Sequence, residues 1–186
     1  MPIRVIGGIA KGRKLKPVPG EGTRPIMDRV KEALFSIIGD RVLEASFLDL
    51  YAGTGSVGIE ALSRGAAHAT FVEKSGIAVQ TIKANLLHVG LDGFAEVLRA
   101  DVRDYLRVEP SDCFELIYIA PPQYRGLWLE TLRLLDDNIE YLCPDGWAIV
   151  QIDPQERQAV DLKNLRAIDE RKYGNTLLWF FERFSA

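Results

Sequence analysis

Cysteine and histidine are scarce, with two of each in 186 residues, and no apolar run approaches the eighteen or so residues that a membrane span needs. The chain also opens without the apolar stretch of a secretion signal. These absences argue against a disulfide scaffold, a helical membrane protein and a secreted one, and the chain is expected in the cytoplasm. Cys113 and Cys143 have no metal-ligand spacing, so no metal site is expected. Two distant cysteines in such a compartment are expected to be reduced, buried thiols. His68 and His88 fall at a strand approach and a helix end, where surface roles are expected. Internal repeats and low-complexity segments are missing as well.

A net basic charge is also lacking, but the overall −3 conceals an asymmetry. Residues 1–31 carry eight bases (Arg4, Lys11, Arg13, Lys14, Lys16, Arg24, Arg29 and Lys31) against Glu21 and Asp28, a local charge of +6 that leaves −9 for the remainder. A basic arm on an acidic body suits a polyanion docking at one end, although a solvated, charged hairpin has the same composition.

With 47% hydrophobic residues, the chain can bury a full core, most simply as one domain over 1–186. Residues 1–22 read as a hairpin extension, with short strands at 4–8 and 13–16 around a turn at 10–12. From residue 23 onward, Ile26, Met27, Val30, Ala33, Leu34, Ile37 and Ile38 recur at helical spacing. Strand-like runs at 47–52, 69–73, 95–100, 114–119 and 146–152 then alternate with helical segments at 56–64, 76–88 and 127–142. Such alternation predicts an α/β fold with a parallel sheet. Residues 166–172 and 176–184, split by Tyr173, Gly174 and Asn175, predict a closing hairpin.

The most informative segment is FLDLYAGTGSVG at 47–58, a strand breaking into a turn with Gly53, Gly55 and Gly58. Glycine is expected there for close backbone approach to a ligand and for positive φ. The helix starting near Ser56 aims its unpaired amides at whatever sits on the turn. GxGxxG spacing alone also fits a dinucleotide, and hence an oxidoreductase. Asp49, however, would set negative charge beside a pyrophosphate, and it suits a ligand with a cationic group such as S-adenosylmethionine. Glu73 ends the next strand with two acceptor oxygens for a ribose diol, and Asp101 ends the third where an adenine amino group can donate. Acids at strand ends also serve as helix caps.

The fourth strand leads into Ala120, Pro121, Pro122, Gln123 and Tyr124, beyond the carboxyl end of the sheet where ligands of open α/β folds bind. Two prolines fix the backbone and leave carbonyls free to accept from a substrate. Tyr124 is placed to stack on a base taken out of its helix. Tyr118 and Trp128 are the other nearby aromatics, and both read as core.

Five segments, RVIGGIAKGRKL, TRPIMDRVKEALFSII, DLYAGTGSVGIEALSRG, FVEK and the double proline, together resemble the RsmD-like bacterial methyltransferases of small-subunit ribosomal RNA. The resemblance covers nearly the whole chain. It implies a Rossmann-like class I methyltransferase fold: a mostly parallel seven-stranded sheet with an antiparallel last strand, helices on both faces, and an N-terminal β-hairpin and helix. The implied activity is transfer from S-adenosylmethionine to a guanine N2 amino group in 16S rRNA, free or in the assembled subunit, with no obligate protein partner evident. It assigns Asp49, Tyr51, Gly53 and Gly55 to the methionine end of the cofactor, Glu73 to its ribose and Asp101 to its adenine, with Thr54 and Lys74 beside them. Arg4, Lys11, Arg13 and Lys14 would lie on RNA phosphates, with Arg24 and Arg29 nearer the mouth of the site.

One motif departs from the family. Such enzymes usually carry Asp or Asn, two prolines and an aromatic; here Ala120 takes the first place and Gln123 precedes Tyr124. The usual side chain accepts from the target amino group while a proline carbonyl accepts a second bond, orienting the nitrogen lone pair. Losing one such acceptor costs about 3 kcal/mol by analogy with an oxyanion-hole donor. Either the Pro121 carbonyl with a neighbouring backbone oxygen or the Gln123 side chain substitutes. Otherwise the chain is a non-catalytic RNA-binding assembly protein, or it acts on a different amino group or a small molecule.

Overall fold

The computed structural model describes residues 2–20 and 25–184. Arg24 therefore lies outside the described residues. In chain order the main elements are β1 (Ile3–Arg4), β2 (Lys14–Leu15), α1 (Asp28–Ile38), β3 (Ser46–Leu50), α2 (Ser56–Ser63), β4 (His68–Glu73) and α3 (Gly76–Val89). They continue with β5 (Ala95–Arg99), α4 (Val102–Arg107), β6 (Phe114–Ile119), α5 (Leu127–Asp137), β7 (Leu142–Ile152), β8 (Leu165–Tyr173) and β9 (Thr176–Arg183).

Seven strands form one sheet in the order β5-β4-β3-β6-β7-β9-β8. The first five are parallel, and β9 runs antiparallel to both β7 and β8. The order reverses between β3 and β6, so the crevice of the sheet opens beside the turn after β3. Both faces are covered, which is why the central strands are continuous apolar runs. Phe47, Phe71, Leu116, Tyr118, Ile149 and Phe180 pack with α1, α2 and α3 on one face. On the other, Leu48, Leu50, Val72, Ile117, Ile119 and Val150 pack against α4 and α5 through Leu106, Trp128, Leu132 and Leu135. Tyr118 and Trp128 are both core, as read.

Four local expectations are corrected. The N-terminal strands are only two residues long, because the Ile6 and Gly7 amides donate to Glu60 on α2 and Ile9 N–H donates to the Ser63 carbonyl. Helix α4 was not anticipated; six residues are too few for a visible period, and its one mark is the Asp101 cap. Helix α5 ends at Asp137, and β7 begins at Leu142, crossing the Pro144–Gly146 break to pair with β6 through a register shift. Finally, Cys113 and Cys143 are joined in a disulfide and are half-buried, not free buried thiols. The start of β6 and the start of β7 are neighbours, bringing the two Cα atoms to 4.9 Å despite a separation of 30 residues.

Candidate active site

The turn after β3 is held by buried polar groups. Tyr51, the residue after β3, stands at φ 62° and packs on the opposite face of the sheet from Asp49; its hydroxyl shares a 2.7 Å hydrogen bond with Thr131 Oγ1 on α5. Gly53 (φ 59°) and Gly55 (φ 80°) take left-handed backbone, and Gly55 caps α2. Gly58 has another reason: a Cβ there would meet the Phe71 ring at 2.3 Å, so this glycine serves helix–strand packing and neither ligand approach nor positive φ. A Cβ on Gly53, by contrast, would meet nothing within 4 Å, leaving open space over the turn.

The strand-end acids are each tied to backbone. Asp49 is buried and its Oδ2 accepts Gly58 N–H at 3.0 Å, pinning the first turn of α2. Burial raises its pKa well above the usual carboxylate range; the Gly58 amide opposes that shift and the Glu73 charge adds to it. Glu73 spans the turn, accepting Gly53 N–H at 2.8 Å on Oε2 and Ser75 N–H at 3.0 Å on Oε1. Asp101 caps α4 and accepts from the Arg103 guanidinium at 2.9 and 3.1 Å, contacts that hold its pKa far below the ordinary value. Lys74 is exposed, with Nζ 3.6 Å from Asp101. Of the three acids only Asp101 is a helix cap; all three lie with Tyr51, Gly53, Thr54 and Gly55 at the carboxyl ends of β3, β4 and β5.

Two side chains that sequence reasoning missed brace this turn from behind. Asn85 on α3, fully buried, donates to Thr54 O at 3.0 Å while exchanging hydrogen bonds with the backbone of Lys16. Lys31, one of the eight bases of the arm, is buried and does not face a polyanion. It donates to Arg4 O at 2.6 Å and Ser56 Oγ at 2.9 Å, and it pairs with Glu60 at 3.1 Å. Burial lowers its pKa, and Glu60 pulls it back up.

The remaining arm residues Arg4, Lys11, Arg13, Lys14 and Arg29 are exposed. The hairpin lies along α2, with Arg4 and Lys14 near the Ser56 end and Lys11 near Ser63 at the far end. That sets Lys11 about 10 Å further from the glycine turn. Arg29 approaches Gly174 in the β8–β9 turn, at the same end of the sheet as the turn after β3.

At the end of β6, Ala120 is half-buried and Pro121 buried, while Pro122, Gln123 and Tyr124 are exposed. Tyr124 stands at φ 62°, donates its N–H to Glu156 Oε1 at 2.8 Å and donates its hydroxyl to Asp153 Oδ2 at 2.5 Å. Both acids sit just past β7 in a capping box, whose Asp-x-x-Glu spacing is visible as DPQE in the sequence. The Tyr124 hydroxyl and the Gln155 amide hold Asp153 below the usual carboxylate range. A separate cavity of about 720 Å³, lined by His68, Glu96, Cys113 and Cys143, opens at the opposite end of the strands. It carries none of these groups. Among the described residues there is no cluster that could hold a metal ion, and no helix is long and apolar enough to cross a membrane.

A parallel sheet reversing at a glycine turn and closed by an antiparallel pair is the Rossmann-like fold of the S-adenosylmethionine-dependent methyltransferases. The RNA methyltransferase of Salinibacter ruber, solved with S-adenosyl-L-homocysteine, shares it at 17% identity and a TM-score of 0.64, over 86% of this chain and 94% of that one. The chain belongs to the family described as conserved hypothetical protein 95, whose model matches residues 3–182. It is 41% identical to ribosomal RNA small subunit methyltransferase D of Escherichia coli strain K12, over 73% of this chain and 68% of that protein. A solved Escherichia coli protein, yhhF, superposes with a TM-score of 0.88 at 33% identity, covering 98% of both chains. These matches bear out the resemblance drawn from the motifs.

Proposed function

We propose that this protein transfers a methyl group from S-adenosylmethionine to the N2 amino group of a guanine in 16S rRNA, acting in the cytoplasm on free RNA or the small subunit. The observation that carries this reading is the acid-lined glycine turn at the sheet reversal, set beside a basic hairpin in a chain 41% identical to a small-subunit methyltransferase D. Open space over Gly53 leaves room for a ligand on the turn, and the carboxyl of Asp49 behind it favours a cationic nucleoside over a pyrophosphate-bearing dinucleotide.

Bound there, the cofactor supplies an electrophilic methyl group on a sulfonium. Tyr51, Gly53, Thr54 and Gly55 form the floor at its methionine end. Asp49 faces a field that a nearby cation changes: positive charge favours the ionised form that burial resists. Glu73 offers its oxygens to the ribose hydroxyls in exchange for the Gly53 and Ser75 amides, and Asp101, beside Lys74, accepts from the adenine amino group. At the end of β6, the Pro121 carbonyl accepts from the target amino group and Pro122 keeps that backbone rigid, while Tyr124 stacks on the flipped base beside Gln123. Arg4, Lys14 and Arg29 hold phosphates nearest the site, with Lys11 and Arg13 further along the arm. The proton leaves the product to solvent.

Ala120 favours a second reading, an RNA-binding assembly protein that keeps the fold without the chemistry. Labelled methyl transfer to small subunits lacking their native guanine methylation separates the two, with Glu73→Ala and Ala120→Asp beside the wild type. Transfer by the wild type is expected, with cofactor affinity in Glu73→Ala lowered about tenfold to a hundredfold, the worth of ~1.5–3 kcal/mol for bonds to a charged group. Transfer by Ala120→Asp alone would establish the assembly reading. Silence from both would overturn the substrate.

A further inference from the structure

Ala120 leaves the end of β6 without a side-chain acceptor, and β7 carries one at the same height. The parallel register runs Leu116↔Trp147, Ile117↔Ala148, Tyr118↔Ile149 and Ile119↔Val150. One step further sets Ala120 beside Gln151. Side chains alternate between faces along a strand. Leu116, Tyr118 and Ala120 share the face packed by α1 to α3, as do Trp147 and Ile149 on β7, which puts Gln151 on that face too. Two contacts agree. The Tyr118 hydroxyl donates to Gln151 Oε1, and the partner of Gln151 on β9, Leu178, belongs to the same core. Gln151 is half-buried and breaks an apolar run, AIVQI, at the carboxyl end of the sheet. Gln123, in contrast, is exposed on the loop.

We infer that Gln151 is a catalytic residue whose side-chain oxygen accepts from the target amino group, replacing across the strand pair the acid or amide that Ala120 lacks. The inference rests on the methylation reading above. An amide oxygen has two lone pairs. Tyr118 engages one, which fixes which end of the amide faces inward and leaves the second for the substrate. Burial keeps the Tyr118 hydroxyl protonated as that donor, with the charge of Asp49, its register partner on β3, acting in the same direction. An amide at this position accepts without adding charge.

The test is single-turnover transfer at saturating S-adenosylmethionine, with S-adenosylhomocysteine affinity measured on the same proteins. Gln151→Ala is expected to slow transfer about a hundredfold, by analogy with removal of one oriented donor from an oxyanion hole. Its S-adenosylhomocysteine affinity is expected within twofold of the wild type. Adding Ala120→Asn, which returns an amide to β6, is expected to recover at least tenfold, an outcome that a merely structural Gln151 would not give. If Gln151→Ala does not fold, Gln151→Met keeps the volume without an acceptor and takes its place. A wild-type rate in the Gln151 variant, or no recovery with ligand binding intact, overturns the inference alone. A wild type that binds the cofactor but transfers to no subunit RNA overturns the methylation reading and this inference together.

Discussion

At the end of β3, the groups around the glycine turn are tied inward: Asp49 to Gly58, Glu73 to Gly53, Asn85 to Thr54 and Lys31 to Ser56, with Asp49, Asn85 and Lys31 buried. One strand away, at the end of β6, Pro122, Gln123 and Tyr124 are exposed, and Tyr124 leans on two acids that follow β7. The first region is braced from behind by α3 and the N-terminal hairpin. The second borrows its groups from the neighbouring strand. A cofactor turn must hold its amides in place before a ligand arrives, and buried polar partners do so because leaving any of them unpaired is costly. On the proposed reading the end of β6 receives a flipped base, which needs an open mouth, and its side chains are free to come from whichever strand reaches it.

Breaking the brace gives the largest effect expected. Glu60→Ala leaves Lys31 buried without its carboxylate and strips the acceptor from the Ile6 and Gly7 amides, so urea unfolding is expected to lose about 3–5 kcal/mol. Unchanged stability would mean the hairpin is not anchored through α2. On the other side, Asp153→Ala releases the Tyr124 hydroxyl. The urea midpoint and S-adenosylhomocysteine affinity are expected to stay near wild type while the KM for RNA rises several-fold, and a matching loss of cofactor affinity would erase the distinction between the two regions.

The smallest effect is a pH dependence at Asp49. Its raised pKa means the folded state holds a proton that the unfolded chain releases above about pH 4, so the stability it contributes is present below that pH and is lost as pH rises toward the folded value. Asp49→Asn can still accept from Gly58 but carries no charge. Its melting temperature is expected to match wild type near pH 4 and to exceed it at some point between there and pH 8, with binding of S-adenosylmethionine close to wild type near pH 4 and weaker where Asp49 ionises. A constant difference across that range would show that Asp49 is not the group under strain.

The braced region was the more legible in the sequence, because positive φ and strand-end acids leave residue-level marks: Gly53, Gly55, Asp49 and Glu73 could be named from spacing. Gly58 was named for the wrong reason, since the ring of Phe71 that excludes a side chain comes from another strand. Lys31 was misread as a surface base because a lysine buried against Glu60 looks no different in a list of charges. The borrowed region was nearly illegible. Asp153 and Glu156 lie some thirty positions after the loop they hold, and only the pairing of β6 with β7 brings them there. The same pairing joins Cys113 to Cys143, a bridge no spacing could announce.

The most direct test is to let the wild-type protein transfer labelled methyl to unmethylated small subunits, digest the RNA to nucleosides and find where the label resides. Label in N2-methylguanosine is the expected result. Label in any other nucleoside, or none in RNA while the cofactor binds, would contradict the function drawn from the two strand ends.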